Sequence, residues 1–291
     1  MNCDDFPMLK KDIIYLDNGA TTLKPQCVID KIKDYYENYS ANAHRGDYDI
    51  SFKVDQEYEN TRELVRKFIH AKYKEEIVFT SGATQSLNMI AFGFFGKFLE
   101  PGDEILITQS EHASNVLPWF VLQKKLGVIV RYIPLDSNHY VTIENVRDAI
   151  TPHTKVISLA GITNVLGDER PMKEICKLAH ERNIFVVMDA AQSVPHRKID
   201  VEEIDVDFLA FSGHKMCGPT GVGVLYGKKK LLEEMEPQNF GGGMNESFDN
   251  ADEIYLKELP TRLEAGTPNI AGVIGLGEAI KYLDSIGMER I

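Results

Sequence analysis

The sequence predicts an α/β fold, a mostly parallel, mixed sheet with helices on both faces. Two observations carry that expectation. From Glu76 onward, short apolar runs of strand length alternate with longer runs of helical periodicity, and strands separated by helices imply crossover connections and parallel pairing. The composition is ordinary for a soluble globular chain: 291 residues, 43% hydrophobic and 26% charged, enough to bury a sizeable core.

Ahead of the alternation, PQCVIDKIKDYYENY (25–39) and VDQEYENTRELVRKFIHAKY (54–73) space their apolar residues as helices do, joined by the polar SANAHRGDYDIS. EIVFT (76–80) then reads as a strand feeding the helix ATQSLNMIAFGFFGKFL, and EILIT (104–108) as a strand feeding SNVLPWFVLQKKLG. VIVRYI precedes the helical TIENVRDAIT, KVISLA precedes MKEICKLAHERN, and IFVVMD (184–189) closes the series. FLAF (208–211) and VGVLY (222–226) are two further apolar, strand-like runs. Between them SGHKMCGPTG sets a histidine and a lysine where a core would otherwise continue.

The formal charge of -12, from 32 Lys+Arg against 44 Asp+Glu, argues against a nucleic-acid partner, and the short GKKK at 227–230 reads as a solvated turn. Cys3, Cys27, Cys176 and Cys217 form no CxxC pair and no zinc spacing, so neither a disulfide framework nor a metal site is expected. The N-terminus lacks the pattern of a secretory signal, and no apolar run reaches membrane-spanning length. A cytoplasmic protein without a membrane partner is the expectation.

In an open parallel sheet the ligand lies beyond the carboxyl ends of the strands. Four polar stretches follow strand-like runs there: SGAT (81–84), SEHASN (110–115), DAAQ (189–192) and SGHK (212–215). Each has an ordinary explanation taken singly, as a capped helix start, a capping histidine, a turn aspartate or a surface lysine. Together they match the needs of pyridoxal phosphate: a lysine amine as covalent anchor, a carboxylate to keep the pyridine nitrogen protonated, and donors for the phosphate. Asp189 is placed as the pyridine partner and Lys215 as the anchor. Ala83 and Thr84 open a helix where free N–H groups and the dipole favour phosphate, with Ser212 and His214 beside them.

The stretches YLDNGATT, HRGDYDIS, TSGATQSLN, SEHASNVLPW, ITNVLG, MDAAQSVPH, FSGHKMCGPTGVGVLYG and RLEAGTPN resemble the class V aminotransferase-fold enzymes, specifically the group II (SufS-type) cysteine desulfurases and the similar selenocysteine lyases. The resemblance implies a fold type I, aspartate aminotransferase-like large domain over 13–283, after an N-terminal segment 1–12. It implies the catalytic pair Lys215 and His112, the latter stacked on the cofactor ring, and Gln192 on the ring hydroxyl. Thr84, Ser212 and His214 would bind the phosphate, and Thr267 would reach the phosphate of the neighbouring subunit in a homodimer. Asn164 would lie near the substrate carboxylate, with His44 and Arg45 at the substrate entrance.

The implied reaction removes sulfur from L-cysteine, or selenium from L-selenocysteine, leaving L-alanine and a persulfide that a sulfur-acceptor protein collects for iron–sulfur cluster assembly. In the family the nucleophilic cysteine and a carboxylate-binding arginine belong to a smaller C-terminal domain, of which GMERI (284–291 with the residues before it) would be only the start. None of the four cysteines present suits that role. A pyridoxal-phosphate-binding chain without turnover, or another reaction on the same fold, therefore stays open. NFGGGM (239–244) lacks a P-loop ending and reads as a mobile loop near the site.

Overall fold

The computed structural model of the protein describes residues 3–43, 46–248 and 253–291. Seven strands form one sheet: β1 (Ile77–Thr80), β2 (Glu104–Ile107), β3 (Ile129–Tyr132), β4 (Thr154–Ala160), β5 (Phe185–Asp189), β6 (Phe208–Ser212) and β7 (Gly223–Gly227). Their order is β1-β7-β6-β5-β4-β2-β3. Strands β2 to β6 pair in parallel, and β7 runs antiparallel to both β6 and β1, so β1 points the same way as the five. The mixed, mostly parallel sheet is the expected one.

Buried on both faces, the central strands read as unbroken apolar runs, and alternate residues feed two cores. Val186, Ile157, Leu209 and Val224 pack with the helices Gln26–Asn38, Asp49–Phe68, Met172–His180 and Ile270–Ile286. Val187, Val156, Phe208 and Leu225 pack on the other face, where the helix Ala83–Met89 continues through a π-helical stretch, Ile90–Phe95, into Gly96–Phe98. There Phe94, Phe95, Phe98, Phe185, Phe208 and Trp119 form a web of edge-on and stacked rings. Its fully buried members, Phe95, Phe208 and Trp119, each contribute roughly 1.5–3 kcal/mol.

Three elements differ from the sequence expectation. The second helix spans Asp49–Phe68 rather than 54–73, because the polar DYDIS can open a helix after the extended Tyr48, while His70 takes a left-handed φ of 57° that ends it. The helix Ile270–Ile286 gives no amphipathic signal because it is buried on nearly every side. Residues 239–244 lead into a hairpin of β8 (Asn245–Phe248) and β9 (Ile254–Leu256), and Asn239 lines a separate cavity of about 180 Å³ beside Glu264, not the one at the strand ends.

Candidate active site

The carboxyl ends of β1, β2, β4, β5 and β6 open onto one cavity of about 370 Å³, a usual size for a cofactor site. Ala83, Thr84, His112, Asn164, Asp189, Gln192, Ser212, His214 and Lys215 all border it. The four sequence motifs thus converge although up to 134 residues separate them (81 to 215). His44 and Arg45 lie outside the described residues. Thr267 is exposed and does not border this cavity.

Strand register sets the floor. Ala160, Asp189 and Ala210 are lateral neighbours on β4, β5 and β6, which puts Asp189 at the centre. Its Oδ1 accepts a 3.0 Å hydrogen bond from Ala191 N. Burial raises its pKa above the ordinary carboxylate value, against the lowering effect of that amide and of Lys215. A carboxylate so poorly solvated gains most from a protonated partner. Lys215, in the single turn Gly213–Lys215 after β6, shifts the opposite way: burial lowers its pKa, and the Asp189 carboxylate offsets only part of this. Its ammonium has no hydrogen-bond partner among the described residues, so the amine is free to act as a nucleophile.

Close backbone approach builds the phosphate end. Gly82 has φ 152°, a conformation side chains rarely adopt, and a Cβ at Gly223 would press on Gly82 and lie 2.6 Å from Phe211 O. These two glycines let the start of the helix Ala83–Met89 sit against β6 and β7. Ala83 N donates to Ser212 Oγ at 2.8 Å, and the Thr84 and Ser114 hydroxyls share a hydrogen bond of 2.7 Å. His112 caps the following turn by accepting from Ser114 N through Nδ1 at 3.1 Å. The ring that caps this turn is thus the same one that borders the cavity.

Gln192 Nε2 donates to Gly19 O at 2.7 Å, which brings Gly19 and Ala20 to the cavity wall. Sequence reasoning singled out neither residue, although both lie inside the YLDNGATT motif. It also missed the support beneath His112. Glu111 and Arg170, both side chains fully buried, form an ion pair. Glu111 Oε2 also accepts from Ala160 N at 2.7 Å and Asn115 Nδ2 at 2.9 Å, and Arg170 Nη2 donates to Thr108 and Ser110 hydroxyls at 2.9 and 2.8 Å. This network ties the ends of β2 and β4 together.

An anchoring amine, a buried carboxylate and a group of hydroxyl, imidazole and backbone donors on one cavity fit pyridoxal phosphate: Lys215 for the aldehyde, Asp189 for the ring nitrogen, and Thr84, Ser212 and His214 for the phosphate. The cysteines do not belong to this set. Burial pushes the Cys217 thiol up to about 11 and raises that of Cys176 further, leaving both inert. Among the described residues no His/Cys/Asp/Glu group has metal-binding geometry.

The pattern of the class V aminotransferases matches residues 14–291. A probable cysteine desulfurase of Halalkalibacterium halodurans is 46% identical over 98% of this chain and 71% of its own length. The apo structure of the cysteine desulfurase from Thermococcus onnurineus superposes with a TM-score of 0.95 at 40% identity, covering 99% of this chain and 71% of that one. SspA, solved in complex with cysteine, gives a TM-score of 0.79 at 30% identity, with 93% and 73% covered. The fold, the contents of the cavity and these likenesses agree, and the chain belongs to the class V aminotransferase family, among its pyridoxal-phosphate-dependent cysteine desulfurases.

Proposed function

We propose that the cavity at the strand ends carries out the desulfuration of L-cysteine to L-alanine, with Lys215 and Asp189 as its working pair. One observation carries this reading: a lysine whose pKa is lowered and an aspartate whose pKa is raised, both by burial, border the same cavity. Pyridoxal phosphate supplies an electron sink for charge that develops on the substrate α-carbon. Asp189 holds the ring nitrogen's proton, which that charge needs for stabilisation. Lys215 Nζ would anchor the cofactor and move the substrate α-proton. His112, on the exposed rim, would cover one ring face, and Asn164 would donate to the substrate carboxylate. Gln192, oriented by its hydrogen bond to Gly19 O, would face the ring hydroxyl.

The sulfur leaves by thiolate attack. A sulfur–sulfur bond forms to the attacking cysteine as the substrate carbon–sulfur bond breaks, and protonation at carbon gives alanine. The four cysteines of these 291 residues do not line the cavity, so in this reading the thiol comes from a C-terminal domain that residues 284–291 begin. Residues 13–283 then form the cofactor domain and 1–12 an N-terminal segment. The exposed Thr267, away from its own cavity, supports a homodimer in which it serves the partner's phosphate. Delivery of the persulfide to an acceptor protein for iron–sulfur cluster assembly in the cytoplasm completes the proposal.

A visible absorption spectrum with added pyridoxal phosphate, beside a Lys215→Ala control, is the direct test. A lysine-dependent band supports the site, and its absence from the native chain refutes the assignment. Alanine released from L-cysteine, with no preference for L-selenocysteine, then separates desulfurase from selenocysteine lyase.

A further inference from the structure

Residues with no part in the reaction just described converge on the backbone next to Lys215. The carbonyl oxygen of His214 accepts from Thr22 N at 2.9 Å, Thr22 Oγ1 at 3.0 Å, Thr21 Oγ1 at 3.1 Å and Lys24 Nζ at 3.2 Å. Thr22 Oγ1 in turn accepts from Cys217 N at 2.8 Å. One hydroxyl thus bridges the backbone on both sides of Lys215.

Lys24 is the unusual member. Its ammonium, half-buried, has no carboxylate partner among the described residues and rests on three neutral oxygens: Thr22 O, His214 O and Thr21 Oγ1. Lysines are seldom placed this way, because a buried charge is costly without a counter-ion. A carbonyl has two lone pairs, so four donors exceed what satisfying it requires. The segment that supplies them is braced within itself, Tyr15 Oη donating to Thr21 O at 2.7 Å, and is tied to the cavity wall where Gly19 O accepts from Gln192 Nε2 at 2.7 Å.

We propose that Thr22 and Lys24 are positioning residues for Lys215, locking the turn 213–217 so that the lysine amine is presented to the cavity before the cofactor arrives. The proposal rests on Lys215 being the cofactor's anchor. Without the clamp the turn keeps its internal bonds, Met216 N and Gly218 N to Gly213 O at 3.0 Å each, and one tie at its first residue, Gly213 N to Val222 O at 2.9 Å; these hold the loop's shape and its start, whereas the clamp grips the backbone on both sides of Lys215. Pre-ordering of this kind acts on affinity by removing an ordering cost.

The test compares Thr22→Val, which keeps the shape and removes the hydroxyl, with Thr22→Ser, which keeps the hydroxyl, and adds Lys24→Met. In the apo protein, hydrogen exchange of the 213–217 amides should accelerate about tenfold in Thr22→Val and Lys24→Met while the melting temperature stays close to native. Pyridoxal phosphate affinity, read from the visible band of the lysine-bound cofactor, should fall about tenfold in the same two variants and recover in Thr22→Ser. Native exchange and native affinity in Thr22→Val overturn the proposal, as does a general loss of apo stability with unchanged affinity. A native protein that shows no visible band with pyridoxal phosphate refutes the anchor assignment instead, and the exchange measurement then decides the clamp alone.

Discussion

A carboxylate held at the end of a central strand with one backbone amide as its hydrogen-bond donor is poorly solvated, and in the proposed site that would suit Asp189 to a heterocyclic cation. In an aqueous setting the same group would lose its proton readily and bind a pyridinium weakly. Here burial strengthens its hold on a shared proton. Asp189→Asn keeps the shape and the Ala191 contact but removes the charge. We expect it to fold, and to bind pyridoxal phosphate roughly 10- to 100-fold more weakly, the worth of one charge-assisted hydrogen bond; equilibrium titration of the visible cofactor band measures this. Asp189 and Lys215 were legible in the sequence because few residue types can do their chemistry and both follow apolar strands. Glu111 and Arg170 were not, because they lie 59 residues apart and their roles exist only through each other. Thr22 and Lys24 were hidden in the same way, since the carbonyl they hold is about 190 residues away.

The strands were easier to read than the helices, and the reason lies in what each element buries. β4, β5 and β6 are covered on both faces, so their apolar runs stand out whatever packs on them. The helix Ile270–Ile286 is apolar almost all round, leaving no periodic contrast to detect, and the start of Asp49–Phe68 is polar enough to pass for a loop. Placement of the strand ends is where interactions between elements decide function. Arg170 joins β2 to β4 through Glu111, and removing one partner of a fully buried pair leaves an unpaired charge. Arg170→Met should therefore cost about 3–5 kcal/mol and disturb His112 along with it, while Arg170→Met combined with Glu111→Gln should recover much of the stability. Urea unfolding of Arg170→Met, Glu111→Gln and the double variant reads this out, and equal losses in single and double variants would rule out the coupling. Gly223→Ala tests the neighbouring contact: its Cβ has no room against Gly82, so cofactor affinity should fall as the helix start is displaced from Ser212, and equilibrium titration of the visible cofactor band measures that fall.

Far from the cavity, the stability of the molecule as a whole should follow pH through a charged cluster that joins its outer helices to the sheet. His180, at the end of the helix Met172–His180, contacts Asp205 Oδ2 through Nδ1 at 3.0 Å and Asp207 Oδ2 through Nε2 at 2.9 Å. Lys228 Nζ lies 2.7 Å from Asp205 Oδ1 and 2.9 Å from Asp207 Oδ1. The hydrogen bond to Asp207 raises the His180 pKa above its ordinary value, outweighing burial. Burial alone would raise the Asp207 carboxyl, but His180 and Lys228 lower it overall. The two signs define a window. A raised histidine stabilises fully below the ordinary imidazole value of about 6.5 and loses that contribution as pH rises through its own higher value; a lowered carboxyl stabilises fully above about 3.9 and loses it as pH falls through its own lower value. Stability from the cluster is therefore complete between roughly pH 4 and 6.5 and erodes on both sides. His180→Gln should be less stable than the native chain inside that window and converge with it at alkaline pH, as charge leaves the native imidazole. Urea midpoints measured from pH 5 to 9 decide the matter, since a gap that stays constant across this range would mean that His180 acts by packing alone.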